Sequence, residues 1–220
     1  MDYSVNYDVI WRNLHNLFYG LGLGLYMALV SVALGSLIGL VLAFSLVSKR
    51  KLFRVLSGIY VAVIRNIPLM IIILFIYFGL PDVGLTFAEQ PSFIFALTIY
   101  TGAYIAEVFR GGLLAIPKGV GEAGMAVGMS NFQINIFIKI PILIRSVMPA
   151  LSNNYISLFK DTSVAAIVAV PELTFQTRKI NTDTFRTIEA WSTASVLYVV
   201  ACLLIAILLR RVERRVAIPK

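Results

Sequence analysis

The stretch Pro117–Pro141, PKGVGEAGMAVGMSNFQINIFIKIP, is a mixed polar segment that stands between long apolar runs. Good helix formers occupy Glu122–Ala126, and apolar residues recur along Phe132–Ile138. Between these two parts, Gly128 is typical of a helix end and the Ser130–Asn131 pair is typical of a helix start. The segment therefore predicts two short amphipathic helices, joined by a sharp turn and bounded by prolines. Such a helix-turn-helix offers a surface that another protein can bind.

The sequence around this segment is strongly apolar. Hydrophobic residues make up 59% of the chain and charged residues only 14%, whereas a soluble domain has roughly 25% charged residues. The mean hydropathy of +0.87 agrees with this imbalance. These values predict one integral membrane domain over residues 1–220, in contact with membrane lipid. The net charge of +8 does not indicate a nucleic-acid partner, because the basic residues cluster at the ends of apolar runs.

Five apolar runs are long enough to cross a bilayer, for which about 20 residues are needed. The runs are Phe18–Val47, Leu56–Leu80, Phe93–Ala115, Ile142–Val170 and Ile188–Leu209. The predicted fold is therefore all-α, with five transmembrane helices. Within the first run, the Gly35/Gly39 pair predicts close packing against another helix.

The charges predict the orientation of these spans. With five spans and the N-terminus outside, thirteen of the nineteen basic residues fall on the cytoplasmic side, at positions 49, 50, 51, 54, 110, 118, 139, 145, 210, 211, 214, 215 and 220. Acidic residues such as Asp82, Glu89 and Glu172 fall on the opposite side. The Pro117–Pro141 segment and the C-terminus are then cytoplasmic.

The central segment also carries a long spaced pattern. Glu122-Ala123-Gly124 is followed after three residues by Gly128, and nine residues later by Ile138-x-Ile140-Pro141. This pattern resembles the Glu-Ala-Ala loop of ABC importer permeases, with Gly124 in place of Ala and Ile140 in place of Leu. The resemblance implies that Glu122, Ala123, Gly124, Gly128 and Pro141 belong to a segment that couples to an ATPase. We call Pro117–Pro141 the coupling segment.

The resemblance implies the type I ABC importer transmembrane fold and a place in the polar amino acid branch of these permeases. The implied partners are two ATPase subunits, a second permease chain in a homodimer or heterodimer, and a periplasmic or tethered solute-binding protein. The implied location is the bacterial inner membrane, and the implied mechanism is alternating access driven by ATP.

No catalytic site is visible in the sequence. No G-x-x-x-x-G-K-S/T motif is present, so ATP and Mg²⁺ are expected on a separate ATPase chain and this chain is not expected to be an enzyme. A single histidine, His15, and a single cysteine, Cys202, predict no metal site.

Four consecutive polar residues, Lys160-Asp161-Thr162-Ser163, interrupt the fourth run. Pro171 lies thirty residues after Pro141, and a helix of this length would span about 45 Å, more than a bilayer core of about 30 Å. We therefore expect a break here, with Thr162 or Ser163 capping a second short helix whose N–H groups face a substrate carboxylate. The segment resembles the Lys-Asp-Ser/Thr-Ser sequence at the substrate pocket of the same permease branch. A structural Lys160–Asp161 ion pair is the alternative, and the two roles are compatible.

Other polar residues lie within the apolar runs. Asn154 is a candidate to hydrogen-bond a substrate, or to pack between helices. Tyr100 and Tyr104 are candidates to line the pathway, in a stretch that also resembles the same permeases. Glu107 and Arg110, three residues apart on one helix face, are expected to form a structural ion pair.

Arg65-Asn66-Ile67-Pro68 lies in the second run and resembles the Arg-Gly-Thr-Pro segment of the same permeases. Because proline kinks a helix and frees a carbonyl, we expect a bend here, with a pathway role as the alternative.

Charged residues within the apolar runs are also compatible with a different class of protein. A stand-alone secondary transporter could use Lys160, Asp161 and Glu107 as an ion relay. The coupling segment favours the ABC permease, and so does the lack of a visible inverted repeat in the sequence.

Overall fold

The structure, a computed structural model, describes residues 4–216, with side chains as far as Arg215. Lys220, which entered the charge count, lies outside the described residues. Within them the regular structure is helical. The α-helices are α1 Asp8–Leu46, α2 Lys51–Asn66, α3 Leu69–Leu74, α4 Glu89–Ala115, α5 Lys118–Ala126, α6 Asn131–Gln133, α7 Ile140–Asp161, α8 Leu173–Thr184 and α9 Thr187–Val216.

Tighter and wider helical turns extend several of these helices. A π-helix, Phe75–Gly79, and a 3-10 helix, Leu80–Val83, continue α3. A second π-helix, Ile134–Lys139, joins α6 to α7, and a 3-10 helix, Thr162–Val168, continues α7.

The lengths and apolar character of the helices confirm the predicted all-α membrane fold. Four helical segments of the described residues are long and apolar enough to cross a membrane, and a fifth is obtained if α2 and the helix from Leu69 to Val83 count as one bent span. The first helix begins at Asp8, ten residues before the apolar run that starts at Phe18, and at this helix start the Asn6 side chain accepts a hydrogen bond from the Asp8 N–H at 2.8 Å.

The break predicted at Pro68 is present. Helix α2 ends at Asn66, and Pro68 has an extended backbone with φ −57° and ψ 136° directly before α3. Proline lacks an N–H group and cannot continue the preceding helix, so it stands outside the first turn of the next one.

The chain divides into two compact units. Unit 1 comprises the chain up to Val32, Ile67–Thr98 and Ile156–Ala206, and unit 2 comprises Ala33–Asn66, Ile99–Tyr155 and the chain from Ile207. In unit 1, α1, α8 and α9 form a core from Ile10, Leu17, Leu173, Ile180 and Ala190.

Unit 2 has its own core, formed by α1, α4 and α7 from Ala43, Ile105, Phe109, Leu143, Val147 and Leu151. Gly39 permits a close approach there, since a Cβ atom at this position would lie 3.0 Å from the Ala106 nitrogen of α4. The small-residue pattern of the first run therefore marks helix packing, as predicted.

The prediction that Pro141 ends the second short helix is wrong. One continuous helical segment runs from Asn131 to Val168 and contains Pro141 and Pro149. The π-helix Ile134–Lys139 lies directly before Pro141, and its wider turn eases the clash between the proline ring and the carbonyl four residues earlier. The second part of the coupling segment is thus the start of a spanning helix.

The helix break predicted at Lys160–Ser163 is also wrong. Helix α7 continues directly into the 3-10 helix at Thr162, and Asp161 keeps helical dihedrals with no side-chain cap. The Thr162 hydroxyl donates back to the Phe159 carbonyl at 2.7 Å instead of capping a new helix. The helix ends at Ala169, whose φ of 60° is left-handed.

Candidate functional site

The turn of the coupling segment is built by backbone hydrogen bonds. Gly128, with φ +82°, follows the end of α5. The Gly128 N–H donates to the Met125 carbonyl at 3.0 Å, and the Met129 N–H donates to the Gly124 carbonyl at 3.0 Å. This pair of bonds is the Schellman motif, which requires a left-handed residue at the position of Gly128. The turn therefore has one defined geometry.

The next helix begins with an equally defined cap. The Ser130 hydroxyl accepts a hydrogen bond from the Gln133 N–H at 3.3 Å, and the Gln133 side chain accepts one from the Ser130 N–H at 2.8 Å. This reciprocal capping box satisfies two N–H groups that would otherwise be unpaired. Both ends of the turn are thus fixed locally.

Gly124 fixes how the two helices of the coupling segment pack. It is buried, and a Cβ atom at this position would lie 2.8 Å from Cγ1 of Ile134. Alanine, which the family pattern has here, would favour the helix by about 1 kcal/mol but would collide with Ile134. The departure at Gly124 thus matches a closer helix contact in this chain.

The outer face of the coupling segment is exposed and apolar. Val127 is 77% exposed and Phe132 is 71% exposed, and Met125 and Phe137 are also exposed. Glu122 is exposed beside them on α5. Several exposed apolar side chains on one short segment, with a charged residue on the same helix, are compatible with a protein-binding surface.

Unit 1 contains Lys160, Asp161, Thr162 and Ser163. Thr162 is fully buried, and a Cβ atom on Gly24 of α1 would lie 3.2 Å from its hydroxyl. Lys160 is exposed, whereas Asp161 and Ser163 are half-buried. Among the described residues no salt bridge joins Lys160 to Asp161. On this chain Lys160 is therefore exposed and Asp161 and Ser163 are partly exposed, whereas Thr162 is a packing residue.

Unit 2 contains Asn154, Tyr100 and Tyr104. The Asn154 amide donates to the Ala150 carbonyl of its own helix at 2.8 Å, which leaves its oxygen as an acceptor. The Tyr100 and Tyr104 rings lie 4.5 Å apart between centroids.

Glu107 and Arg110 form the expected ion pair within unit 2. Arg110 Nη2 donates to Glu107 Oε2 at 2.7 Å, and Arg110 Nε lies 3.2 Å and 3.1 Å from the two carboxylate oxygens. This geometry fixes the orientation of the carboxylate.

An open cavity of about 390 Å³ lies beside these residues in unit 2. Its polar wall is formed by Arg65 and Asn66 of α2 and by Tyr104 and Glu107 of α4, and its remaining wall by small and apolar residues of α2. The Arg65 guanidinium carbon lies 5.3 Å from the centre of the Tyr104 ring. Arg65 was expected mainly at a helix bend, with a pathway role as the alternative, and its side chain lies on the wall of this cavity.

Glu172, which the charge distribution assigned to the outer side, is not a surface residue of this chain. The residue is fully buried in unit 1. Its carboxylate caps α8 by accepting hydrogen bonds from the Thr174 and Phe175 N–H groups at 2.8 Å each. It also accepts a hydrogen bond from the Tyr198 hydroxyl at 3.0 Å. Burial raises the pKa of the Glu172 carboxyl, and these hydrogen bonds oppose the shift.

In residues 4–216 no group of three or more His, Cys, Asp or Glu side chains is placed to bind a metal ion.

The sequence and fold of this chain are similar to those of known transport proteins. Residues 35–218 match the family described as "Binding-protein-dependent transport system inner membrane component". The chain is 34% identical over 215 residues to the glutamine transport system permease protein GlnP of Escherichia coli (strain K12), covering 97% of this chain and 98% of that protein. It is also 34% identical over 219 residues to the octopine transport system permease protein OccM of Rhizobium radiobacter, covering 93% and 87%.

A solved structure described as an amino acid ABC transporter with histidines has the same fold. Its TM-score to this chain is 0.87 at 30% identity, and the alignment covers 97% of this chain and 100% of that chain.

Proposed function

This chain belongs to the family of binding-protein-dependent transport system inner membrane components, as a membrane permease subunit of an ABC amino acid importer, and we propose that its substrates are polar amino acids. The names of GlnP and OccM support this substrate class, because glutamine and octopine are polar compounds. The apolar spanning helices support a location in the bacterial inner membrane.

The observation that carries the mechanism is the coupling segment. Its turn is fixed by the Schellman motif at Gly128 and the capping box at Ser130, and its apolar face is exposed. We propose that each of two ATPase subunits binds this face, with Glu122 and Ala123 at the contact. ATP and Mg²⁺ are bound by those ATPases.

The continuous helix explains how force would reach the pathway. The second part of the coupling segment is the start of the helix that runs from Asn131 to Val168. A displacement of the turn therefore moves a spanning helix directly, with no flexible joint at Pro141. Closure of the ATPases on ATP would move two such helices together and open the pathway outward, and hydrolysis would reset it.

The proposed assembly contains a second permease chain, as a homodimer or heterodimer, and a periplasmic or tethered solute-binding protein. The proposed orientation has the N-terminus outside and the coupling segment inside, in agreement with the basic residues that follow α1 and end α9. Lys160, Asp161 and Ser163 are proposed solute contacts because their side chains remain accessible, with Thr162 as a packing residue and with Asn154, Tyr100 and Tyr104 as further pathway residues.

Reconstitution tests this function. The chain is co-purified with its ATPase, placed in proteoliposomes and supplied with its solute-binding protein and labelled L-glutamine. We expect uptake that requires the binding protein and ATP and that stops with a hydrolysis-deficient ATPase. Uptake by this chain alone, driven by an ion gradient without nucleotide, would show a secondary transporter instead.

A further inference from the structure

The C-terminal part of α1 carries an apolar groove that the proposed transport mechanism does not use. Near the end of the helix the groove has a volume of about 370 Å³ and is lined by Val41, Phe44, Ser45, Ser48 and Phe53. Its continuation, of about 320 Å³, is lined only by the aliphatic residues Leu37, Ile38, Val41 and Leu42. The two parts share Val41, and all of these residues belong to unit 2. We call this surface the α1 groove.

A cluster of cations stands at the polar end of the α1 groove. Its four members follow Ser48 in sequence and flank Phe53, and they are Lys49, Arg50, Lys51 and Arg54. All four are exposed. The sequence has no Asp or Glu between Asp8 and Asp82, and among the described residues none of the four takes part in a salt bridge. The cluster therefore has no protein counter-charge within salt-bridge distance.

The position of these cations does not stabilise their own helix. Lys51 and Arg54 lie in the first turn of α2, which contains no acidic residue, although the helix dipole favours anions at this end. The orientation of the spans requires positive charge near the membrane face, but it does not require cations in a helical first turn beside a groove. An anion bound from outside the protein would offset this unfavourable arrangement.

Two groups at the mouth of the groove are suited to bind a phosphate. The Arg50 guanidinium carbon lies 5.9 Å from the centre of the Phe53 ring, which lines the groove. A guanidinium held against a ring keeps its N–H groups for a phosphate. The Ser48 hydroxyl accepts the Arg50 N–H at 3.2 Å, and this bond does not use the hydroxyl proton.

We propose that the α1 groove binds an anionic phospholipid, with the headgroup phosphate at Arg50 and Ser48 and an acyl chain along the aliphatic residues from Leu37 to Leu42. In the orientation proposed above, this lipid belongs to the inner leaflet. Basic pockets beside spanning helices on the cytoplasmic side are typical sites for anionic headgroups. A lipid with a choline headgroup fits less well, because its own cation would meet the cluster. A free phosphate would leave the aliphatic wall unused.

The test uses the complete transporter in nanodiscs of phosphatidylcholine. A small fraction of the lipid carries a photoactivatable diazirine on one acyl chain, with either a phosphatidylglycerol or a phosphatidylcholine headgroup. Labelled peptides are identified by mass spectrometry. We expect phosphatidylglycerol to label residues 37–53 roughly tenfold more strongly, because several cations near the headgroup add to its affinity. Excess inorganic phosphate should not remove this label. The comparison of the two lipids needs no substitution and is independent of whether any variant folds.

Removal of charge locates the headgroup. The double variant Lys49→Gln/Arg50→Gln should lower the preference for phosphatidylglycerol to about twofold or less. The matched control is Arg210→Gln/Arg211→Gln, which removes the same charge from the last turns of α9, away from the groove lining. It should leave the labelling of residues 37–53 unchanged.

Filling the groove separates a bound lipid from diffuse attraction to charge. Val41 is 67% exposed and lines both parts of the groove, so Val41→Trp blocks the groove while it leaves every charge in place. We expect phosphatidylglycerol labelling to fall several-fold in this variant.

Four results would overturn the site: equal labelling by the two lipids, no labelling of residues 37–53 by either lipid, an equal loss in the control double variant, or full labelling in Val41→Trp. Loss of the label to excess phosphate would show an anion site without the groove and would overturn the lipid assignment. ATP-dependent import, measured separately, decides the proposed function, so the two proposals fail independently.

Discussion

Gly128→Val tests whether the coupling segment must keep one geometry. A Cβ atom at Gly128 would meet no other heavy atom within 4 Å, so the added side chain has space. The cost comes from the backbone, because φ is +82° and an L-residue in the left-handed region costs roughly 1–2 kcal/mol. The variant can avoid this strain only by giving up the Schellman motif.

Losing that motif costs a similar amount. The two bonds, from the Gly128 and Met129 N–H groups, contribute about 0.5–1.5 kcal/mol each. Either route therefore disfavours the native turn by about 1–3 kcal/mol, which corresponds to roughly a 5- to 150-fold change in its population. We expect import per ATP hydrolysed to fall while membrane insertion is unchanged.

The assay measures L-glutamine uptake and ATP hydrolysis in the same proteoliposomes. Gly119→Val is the matched control, because Gly119 lies on α5, the helix that Gly128 follows, has open space around it and has no left-handed φ. Gly128→Asn is expected to lose less than Gly128→Val, since asparagine tolerates the left-handed region. Normal coupling in Gly128→Val, or equal losses in Gly119→Val, would refute the reasoning.

Three further predictions concern packing and a buried carboxylate. Gly124→Ala should lower the thermal midpoint because its Cβ would lie 2.8 Å from Ile134, and the same change should cost less in an Ile134→Ala background, where that contact is absent. Gly20→Ala should destabilise by about 1–3 kcal/mol, because its Cβ would lie 2.8 Å from the backbone of Glu172, whereas Gly22→Ala, with open space, should be near neutral. Burial raises the pKa of Glu172, so its contribution to stability is largest below its usual pKa of 4.5 and is lost as the pH rises through the folded pKa. The thermal midpoint of wild type relative to that of Glu172→Gln should therefore fall as the pH rises.

Each of these predictions has a contrary outcome. A stable Gly124→Ala protein would show that Ile134 moves aside without cost. Equal midpoints for Gly20→Ala and Gly22→Ala would show that α1 does not need its close approach to Glu172. A pH-independent difference for Glu172→Gln would show that the carboxyl keeps one protonation state throughout.

Local features of the chain were predictable because each depends on neighbours in sequence. The apolar runs indicated membrane spans, Gly128 and Ser130 indicated the turn, and Pro68 indicated the broken second span. Pro141 misled as a helix boundary, because the sequence could not show that a π-helix precedes that proline and lets the helix continue. The hydroxyl of Thr162 was likewise a possible cap by sequence, and its bond to Phe159 shows otherwise.

Consecutive residues predicted a helical membrane protein with a sharply bent polar segment, because hydropathy and turn residues are local properties, and the resemblance of the spaced motif to ABC importer permeases predicted its class. Which side chains meet follows from the packing of the helices. This packing placed Arg65 over Tyr104 beside Glu107, buried Glu172 against Tyr198, and required glycine rather than alanine at position 124. These contacts join residues on different helices, and their distances follow from how the helices pack, which no local pattern specifies.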